Sequence, residues 1–184
     1  VDESRSSWAL FSEFQRDITD NLEIGFAGRY ENLDSGSTFD PKISARFQAS
    51  DNLILRASMS TSYREASLFQ LYSSAVSLQG IQDFDADGNA KGGTAFIRVA
   101  QNANENLKAE EADNINLGAV WSATDNLQVT LDYWAVDYTN VITIESAQGK
   151  VVADPSQPDI KRTSDGTLFG ITTNYFNAAS VNTD

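Results

Sequence analysis

Leu22-Glu23-Ile24-Gly25-Phe26-Ala27-Gly28-Arg29-Tyr30-Glu31 decides the fold. Every even position from Leu22 to Tyr30 except Gly28 is apolar, while Glu23, Arg29 and Glu31 fall on odd positions. Successive side chains of a strand point to opposite faces, so this spacing makes a β-strand with one oily and one wet side. The same period runs outward in both directions. Ile43, Ala45 and Phe47 alternate with Lys42, Ser44, Arg46 and Gln48. Leu53, Leu55, Ala57 and Met59 alternate with Ile54, Arg56, Ser58 and Ser60. Further along, Ile115, Leu117, Ala119 and Trp121 form one such row and Leu127, Val129, Leu131, Tyr133 and Ala135 another.

A short repeat punctuates these runs: Thr19-Asp20-Asn21-Leu22, Ser50-Asp51-Asn52-Leu53 and Thr124-Asp125-Asn126-Leu127. Asp and Asn tolerate turn geometry and bond their own backbone, so each copy predicts a tight hairpin. The resulting strands are 7–18 with 22–32, 40–49 with 53–62, and 112–122 with 127–140; a seventh is expected over 172–179. The opposite strand ends have a modest linker from Asn32 to Phe39 and long loops over 63–111 and 141–172. Short turns on one edge and long loops on the other are the asymmetry of outer-membrane barrels. The predicted class is therefore all-β: an antiparallel up-and-down meander forming part of a transmembrane barrel, as a single segment over 1–184. Six or seven strands are too few to close such a barrel, whose smallest forms have about eight, so the chain reads as a piece of something larger. Trp8, Tyr30, Tyr63, Trp121 and Tyr138 lie near strand ends, which suits an interfacial girdle and equally the cross-strand packing of any sheet.

Several phrases resemble the later barrel of TonB-dependent outer-membrane receptors. Pro41-Lys42-Ile43-Ser44-Ala45-Arg46-Phe47 followed by Asp51-Asn52-Leu53-Ile54-Leu55-Arg56 is similar to that family's paired strands. Thr61-Ser62-Tyr63-Arg64-Glu65-Ala66-Ser67-Leu68-Phe69-Gln70-Leu71-Tyr72 resembles its Gly-Phe-Arg-Ala-Pro-Ser-Leu-x-Gln-Leu-Tyr phrase, with Ser62 for Gly and Glu65-Ala66 for Ala-Pro. Asn104-Glu105-Asn106-Leu107-Lys108-Ala109-Glu110 matches Asn-Pro-Asp-Leu-Lys-Pro-Glu without its prolines, and Asp132-Tyr133-Trp134 and Tyr175-Phe176-Asn177-Ala178-Ala179 follow in the family's order. The resemblance implies location in the bacterial outer membrane. It also implies import of a scarce nutrient (an iron chelate, cobalamin, or a sugar or peptide fragment), with the TonB energy-coupling system, a small-molecule ligand and the lipid bilayer as partners. The family's plug domain and N-terminal energy-coupling box find no match here.

Composition narrows the chemistry. The 184 residues carry a net charge of −13 and no histidine or cysteine. Nucleic acid is an unsuitable partner for so acidic a chain. His-based triads, thiol nucleophiles and zinc–thiolate sites are impossible. Asp132 and Asp137 sit five apart on one strand and face opposite sides, so they form no catalytic pair. The chain is not read as an enzyme. Asp83-Phe84-Asp85-Ala86-Asp87-Gly88-Asn89 matches the opening of a calcium loop, in which alternate oxygens converge on one cation. Its ligands would be Asp83, Asp85, Asp87 and Asn89; Thr94 at the twelfth position, where a bidentate Glu belongs, limits the expected affinity. Phe69, Tyr72 and Phe84, set in the long loops, are candidate ligand contacts or loop-packing residues. A competing reading is a soluble β-sandwich binding module, calcium-assisted, in which the same alternation packs two sheets face to face. The two readings differ in whether the oily strand faces are covered.

Overall fold

The computed structural model describes residues 3–34 and 36–183, with side chains through residue 180. Chain order is β1 (Trp8–Thr19), β2 (Leu22–Leu33), β3 (Gly36–Ser50), β4 (Leu53–Arg64), α1 (Leu68–Tyr72), β5 (Ala75–Phe84), β6 (Ala90–Asn102), β7 (Glu110–Thr124), β8 (Leu127–Ile144), α2 (Ala147–Ala153), β9 (Ile160–Arg162) and β10 (Leu168–Thr183). Two compact units divide the chain: one is built chiefly from residues 4–65 and 109–141, the other from 66–108 and 142–178.

The first unit is an open antiparallel sheet in the order β1, β2, β3, β4, β7, β8. The three repeats form its three tight turns. Each turn is preceded by the same irregularity in pairing, at Asp17/Thr19, Gln48/Ser50 and Ser122/Thr124. A bulge at that point tightens strand twist and fixes register. The first repeat position works alike in two turns: Thr19 Oγ1 accepts from Asn21 N–H at 3.3 Å and Thr124 Oγ1 from Asn126 N–H at 3.4 Å. In the other, Ser50 Oγ lies 2.7 Å from Asn52 Oδ1. The Asn carbonyls then reach the following strand, Asn21 accepting from Gln48 N–H and Asn52 from Ser122 N–H. The Asn32–Phe39 linker is shorter than expected: β2 and β3 stay paired to Leu33↔Gly36, where Gly36 takes a φ of +134° open to glycine alone.

The second unit corrects the expectation of two long loops. Residues 63–111 contain α1 and the β5–β6 hairpin, and 141–172 contain α2 and β9. β6 pairs with β5 antiparallel and with β10 in parallel, and β9 joins β10 antiparallel. The parallel pair departs from a pure up-and-down meander. These segments fold because they own a core: Ile81, Ile97, Val99, Val151, Ile160 and Ile171 are buried together. Ser67 and Gln70 cap α1 reciprocally, and Ser146 caps α2.

Candidate functional site

The register of the six-stranded sheet converts the sequence alternation into two surfaces. One row runs Phe14–Phe26–Ile43–Met59–Ile115–Ala135, one residue per strand. The next rows toward the turns add Ile24, Leu117 and Tyr133, then Leu22, Phe47, Leu55 and Leu131. This apolar face is uncovered: Leu131 is 73% exposed, Leu10 66%, and Phe14 and Met59 56% each. A soluble sheet buries such a face; an exposed patch of this extent marks contact with lipid or a partner.

The opposite face is polar. Gly25, Ser44, Ser58 and Asn116 lie side by side across four strands. The neighbouring row holds Glu23, Arg46, Arg56, Gly118 and Asp132. There Arg56 Nη2 bridges Asp132 Oδ1 at 2.6 Å across the whole width of β7. Gly118 is what permits the crossing, since a Cβ there would stand 2.5 Å from both Arg56 Nε and Asp132 Oδ1. Phe11, 79% exposed, and Trp134, 49% exposed and level with Asn116, are apolar side chains on this face.

The folded loop unit holds the remaining candidates. Phe69 and Tyr72 sit one turn apart on α1 and are 50% and 38% exposed. Phe84 is different: it packs against the buried core of its unit, so the packing role accounts for it. The structure does not gather the proposed calcium ligands. Asp83 is held by Arg162, Nη1 to Oδ2 at 2.8 Å and Nη2 to Oδ1 at 2.6 Å. Asp85 folds back onto its own turn, accepting from Asp87 N–H at 3.0 Å and Asn89 N–H at 2.8 Å. Among the described residues no three acidic side chains converge as metal ligands. The segment forms the turn of the β5–β6 hairpin, with Gly88 at φ +83°.

Charge pairing sets the electrostatics of this unit. The Arg162 guanidinium holds the Asp83 carboxyl below its usual range, aided by Phe84 N–H and Lys91, while Asp83 raises Arg162. Arg162 also donates to the Pro155 and Gly166 carbonyls, tying the α2–β9 connection to β5. Burial alone would lower Lys150, but hydrogen bonds to Asp159 and Glu145, both 2.6 Å, outweigh it and raise the ammonium above its ordinary value. Asn104 donates to Tyr175 C=O at 2.8 Å, and Asn177 exchanges hydrogen bonds with the Lys108 backbone. These asparagines belong to the two phrases singled out in the sequence, and they staple segments about 70 residues apart, as the sequence separations of 71 and 69 show. Sequence reasoning missed the Asp83–Arg162 pair, for which spacing offers no signal. It also missed Asp113 and Asp137, which register places directly opposite each other.

The family model described as TonB dependent receptor-like, beta-barrel matches residues 1–183. The chain belongs to the TonB-dependent receptor β-barrel family. Among solved structures, the ferric enterobactin receptor of Pseudomonas aeruginosa (a variant in complex with enterobactin) superposes with a TM-score of 0.68 at 20% identity, covering 96% of this chain and 23% of that one. The siderophore receptor PirA of Pseudomonas aeruginosa gives 0.64 at 18% identity, covering 96% and 29%. PirA of Acinetobacter baumannii gives 0.65 at 14%, covering 96% and 24%. At these identities the likeness shows the fold, and the chain spans about a quarter of the length of the solved receptors. No curated protein sequence matches it. The six-stranded sheet of this chain is antiparallel and open, and the family is one of transport receptors.

Proposed function

We propose that this chain is the bilayer-embedded, loop-bearing part of an outer-membrane receptor that captures a small-molecule nutrient for TonB-driven import, with a siderophore-type iron chelate as the ligand class. The observation that carries the membrane reading is the slant of the apolar belt. On β1 the belt comprises Trp8, Leu10 and Phe14 and is interrupted by Arg16, with Ile18 beyond it; on β8 it comprises Val129, Leu131, Tyr133 and Ala135 and stops at Asp137. Its centre on β1 is near position 11. Its centre on β8 is near Asp132, which aligns through Gly118, Arg56, Arg46 and Glu23 with Asp17 of β1. The belt has therefore slipped six residues, about 20 Å, over five strand spacings of about 4.8 Å, a slant of roughly 40° to the hydrogen-bonding rows. That is the tilt of strands against the bilayer normal in outer-membrane barrels, about 35–45°. On β4 the belt from Leu53 to Tyr63 spans about 33 Å along the strand, or about 25 Å once tilted, the height of a barrel's lipid-facing band.

The uncovered belt opposes the sandwich reading, which needs a second sheet against it. Siderophore recognition draws support from the fold neighbours and from the exposed aromatics Phe69 and Tyr72, which we assign to ligand contact. Because the chain has no cysteine, single cysteines at Leu10, Leu131 and Ser58 can each be labelled with a fluorophore in vesicle-reconstituted protein. Spin-labelled lipid should quench the label at 10 and 131 and spare the one at 58; equal quenching at all three would refute the membrane reading. Binding of a ferric catecholate chelate should weaken about tenfold in Phe69→Ala/Tyr72→Ala, on the scale of aromatic contacts. An unchanged affinity removes those residues from the site.

A further inference from the structure

The apolar face is not smooth. A groove of about 950 Å³ crosses it, floored by small residues: Ser12, Gly28, Pro41 and Thr61. The row of Phe14, Phe26, Ile43, Met59 and Ile115 forms one bank, and Phe39, leaning over Gly28, forms part of the other. At the β7–β8 end the floor becomes Asp113 and Asp137, two carboxylates directly opposite across the strand pair. Neither has a hydrogen bond or ion-pair partner among the described residues, and like charges so placed repel each other. Two uncompensated anions at the mouth of an oily channel call for a cation carried on an apolar body.

The slant of the belt orients this channel. On β8 the row lies beyond the belt's edge, at Asp137; on β1 the same row lies inside the belt, at Ser12 between Leu10 and Phe14. Along its length, about 24 Å, the groove therefore descends about 15 Å into the hydrocarbon zone. We propose that it seats one lipid molecule: an acyl chain lies between the banks, and a primary ammonium headgroup meets Asp113 and Asp137. An ammonium donates to both carboxylates at once and cancels their repulsion. The proposal rests on the membrane reading above and adds a lipid chemistry to it.

Native mass spectrometry of the chain in non-ionic detergent micelles tests it. The micelles are doped equally with phosphatidylethanolamine and phosphatidylglycerol bearing identical acyl chains. The ammonium lipid should be retained about fivefold over the glycerol lipid, the scale of one exposed ion pair. Asp113→Asn/Asp137→Asn should bring the ratio to about one. Thr61→Phe, which fills the floor, should lower retention of both lipids and keep the ratio. A ratio near one in the unaltered chain, or an unchanged ratio in the double variant, overturns the proposal. Magnesium-dependent retention of the glycerol lipid also overturns it, in favour of a cation bridge to an anionic headgroup. If labels on the belt report no lipid at all, the membrane reading falls and this one with it; lipid contact without headgroup preference sinks only the seat.

Discussion

Replacing Arg162 by Met should loosen the loop unit without disturbing the six-stranded sheet. In the folded chain the guanidinium makes two charge-assisted bonds to Asp83 and further bonds to Pro155 and Gly166 carbonyls. The Arg162 and Asp83 side chains are only 21% and 14% exposed, so solvent screens the pair weakly. Hydrogen bonds to charged groups contribute about 1.5–3 kcal/mol each when a partner is removed, and an orphaned carboxylate costs more. Lys91, 4.0 Å from Asp83, recovers part of this. The net loss should be about 2–3 kcal/mol, or amide exchange faster by about 30- to 150-fold if exchange follows opening of the unit. Hydrogen exchange read by mass spectrometry on peptides covering 75–102 and 160–178 measures it, with peptides covering 22–50 as the unaffected reference. Asp83→Asn/Arg162→Met should exchange more slowly than Arg162→Met alone, since no charge is then stranded. The pH dependence has a definite sign. Arg162 depresses the Asp83 pKa on folding, so the stabilisation is fully present above the unfolded value of about 3.9 and is lost as pH falls through the lower folded value. Below that range the unaltered chain should approach the Arg162→Met rate. Exchange in Arg162→Met equal to that of the unaltered chain at neutral pH, or a double variant worse than the single, would refute the assignment of Arg162 as the clamp of this unit.

Three further outcomes follow from the same geometry. Leu131→Arg, near the belt's centre on β8, should cost about 2–4 kcal/mol of folding stability in vesicles measured by urea titration, whereas Ser58→Arg on the polar face should cost under about 1 kcal/mol; equal costs would contradict the assignment of faces. Gly28→Ala should destabilise by about 1 kcal/mol, because its Cβ would lie 2.9 Å from the Phe39 ring, while Gly25→Ala should be near neutral, because it meets only a rotatable Ser44 hydroxyl; the same urea titration ranks them. Millimolar calcium should leave the thermal midpoint unmoved, since Asp83 is already neutralised by Arg162, and a rise on titration that vanishes in Asp85→Ala would show that the loop does rearrange around the ion.

What could be read from the sequence divides along the physical range of the forces involved. The six strands of the first unit were legible because their signal is local: a period of two, and a turn made by four adjacent residues. Their predicted ends fall within a few residues of β1–β4, β7 and β8. The folded loops were not, because β5 and β6 mix the period with Gly80, Gly92 and Gly93 and draw their order from a core shared with α2, β9 and β10. Such cores assemble residues far apart in sequence, and no window contains them. The calcium motif meets the same limit. Asp83, Asp85 and Asp87 have the right spacing, but spacing cannot reveal that Arg162, 79 residues later, already occupies the first carboxylate.

The slanted belt shows what becomes visible when the two kinds of information are joined. Each strand's alternation states which face is oily but not where along the strand the oil stops. Register states which residues are level but not which way is up. Together they place Arg16 and Asp137 on opposite margins of one band, although the two lie on the same face and only two rows apart. A soluble sheet has no reason to shift its apolar band along the strands from one edge to the other, since water wets both ends alike. A flat slab of hydrocarbon does, because each strand must exchange apolar for polar side chains at the depth where it leaves the slab. The angle is thus a property of the solvent written into the chain, and Asp113 and Asp137 acquire a meaning only from their place just beyond that margin.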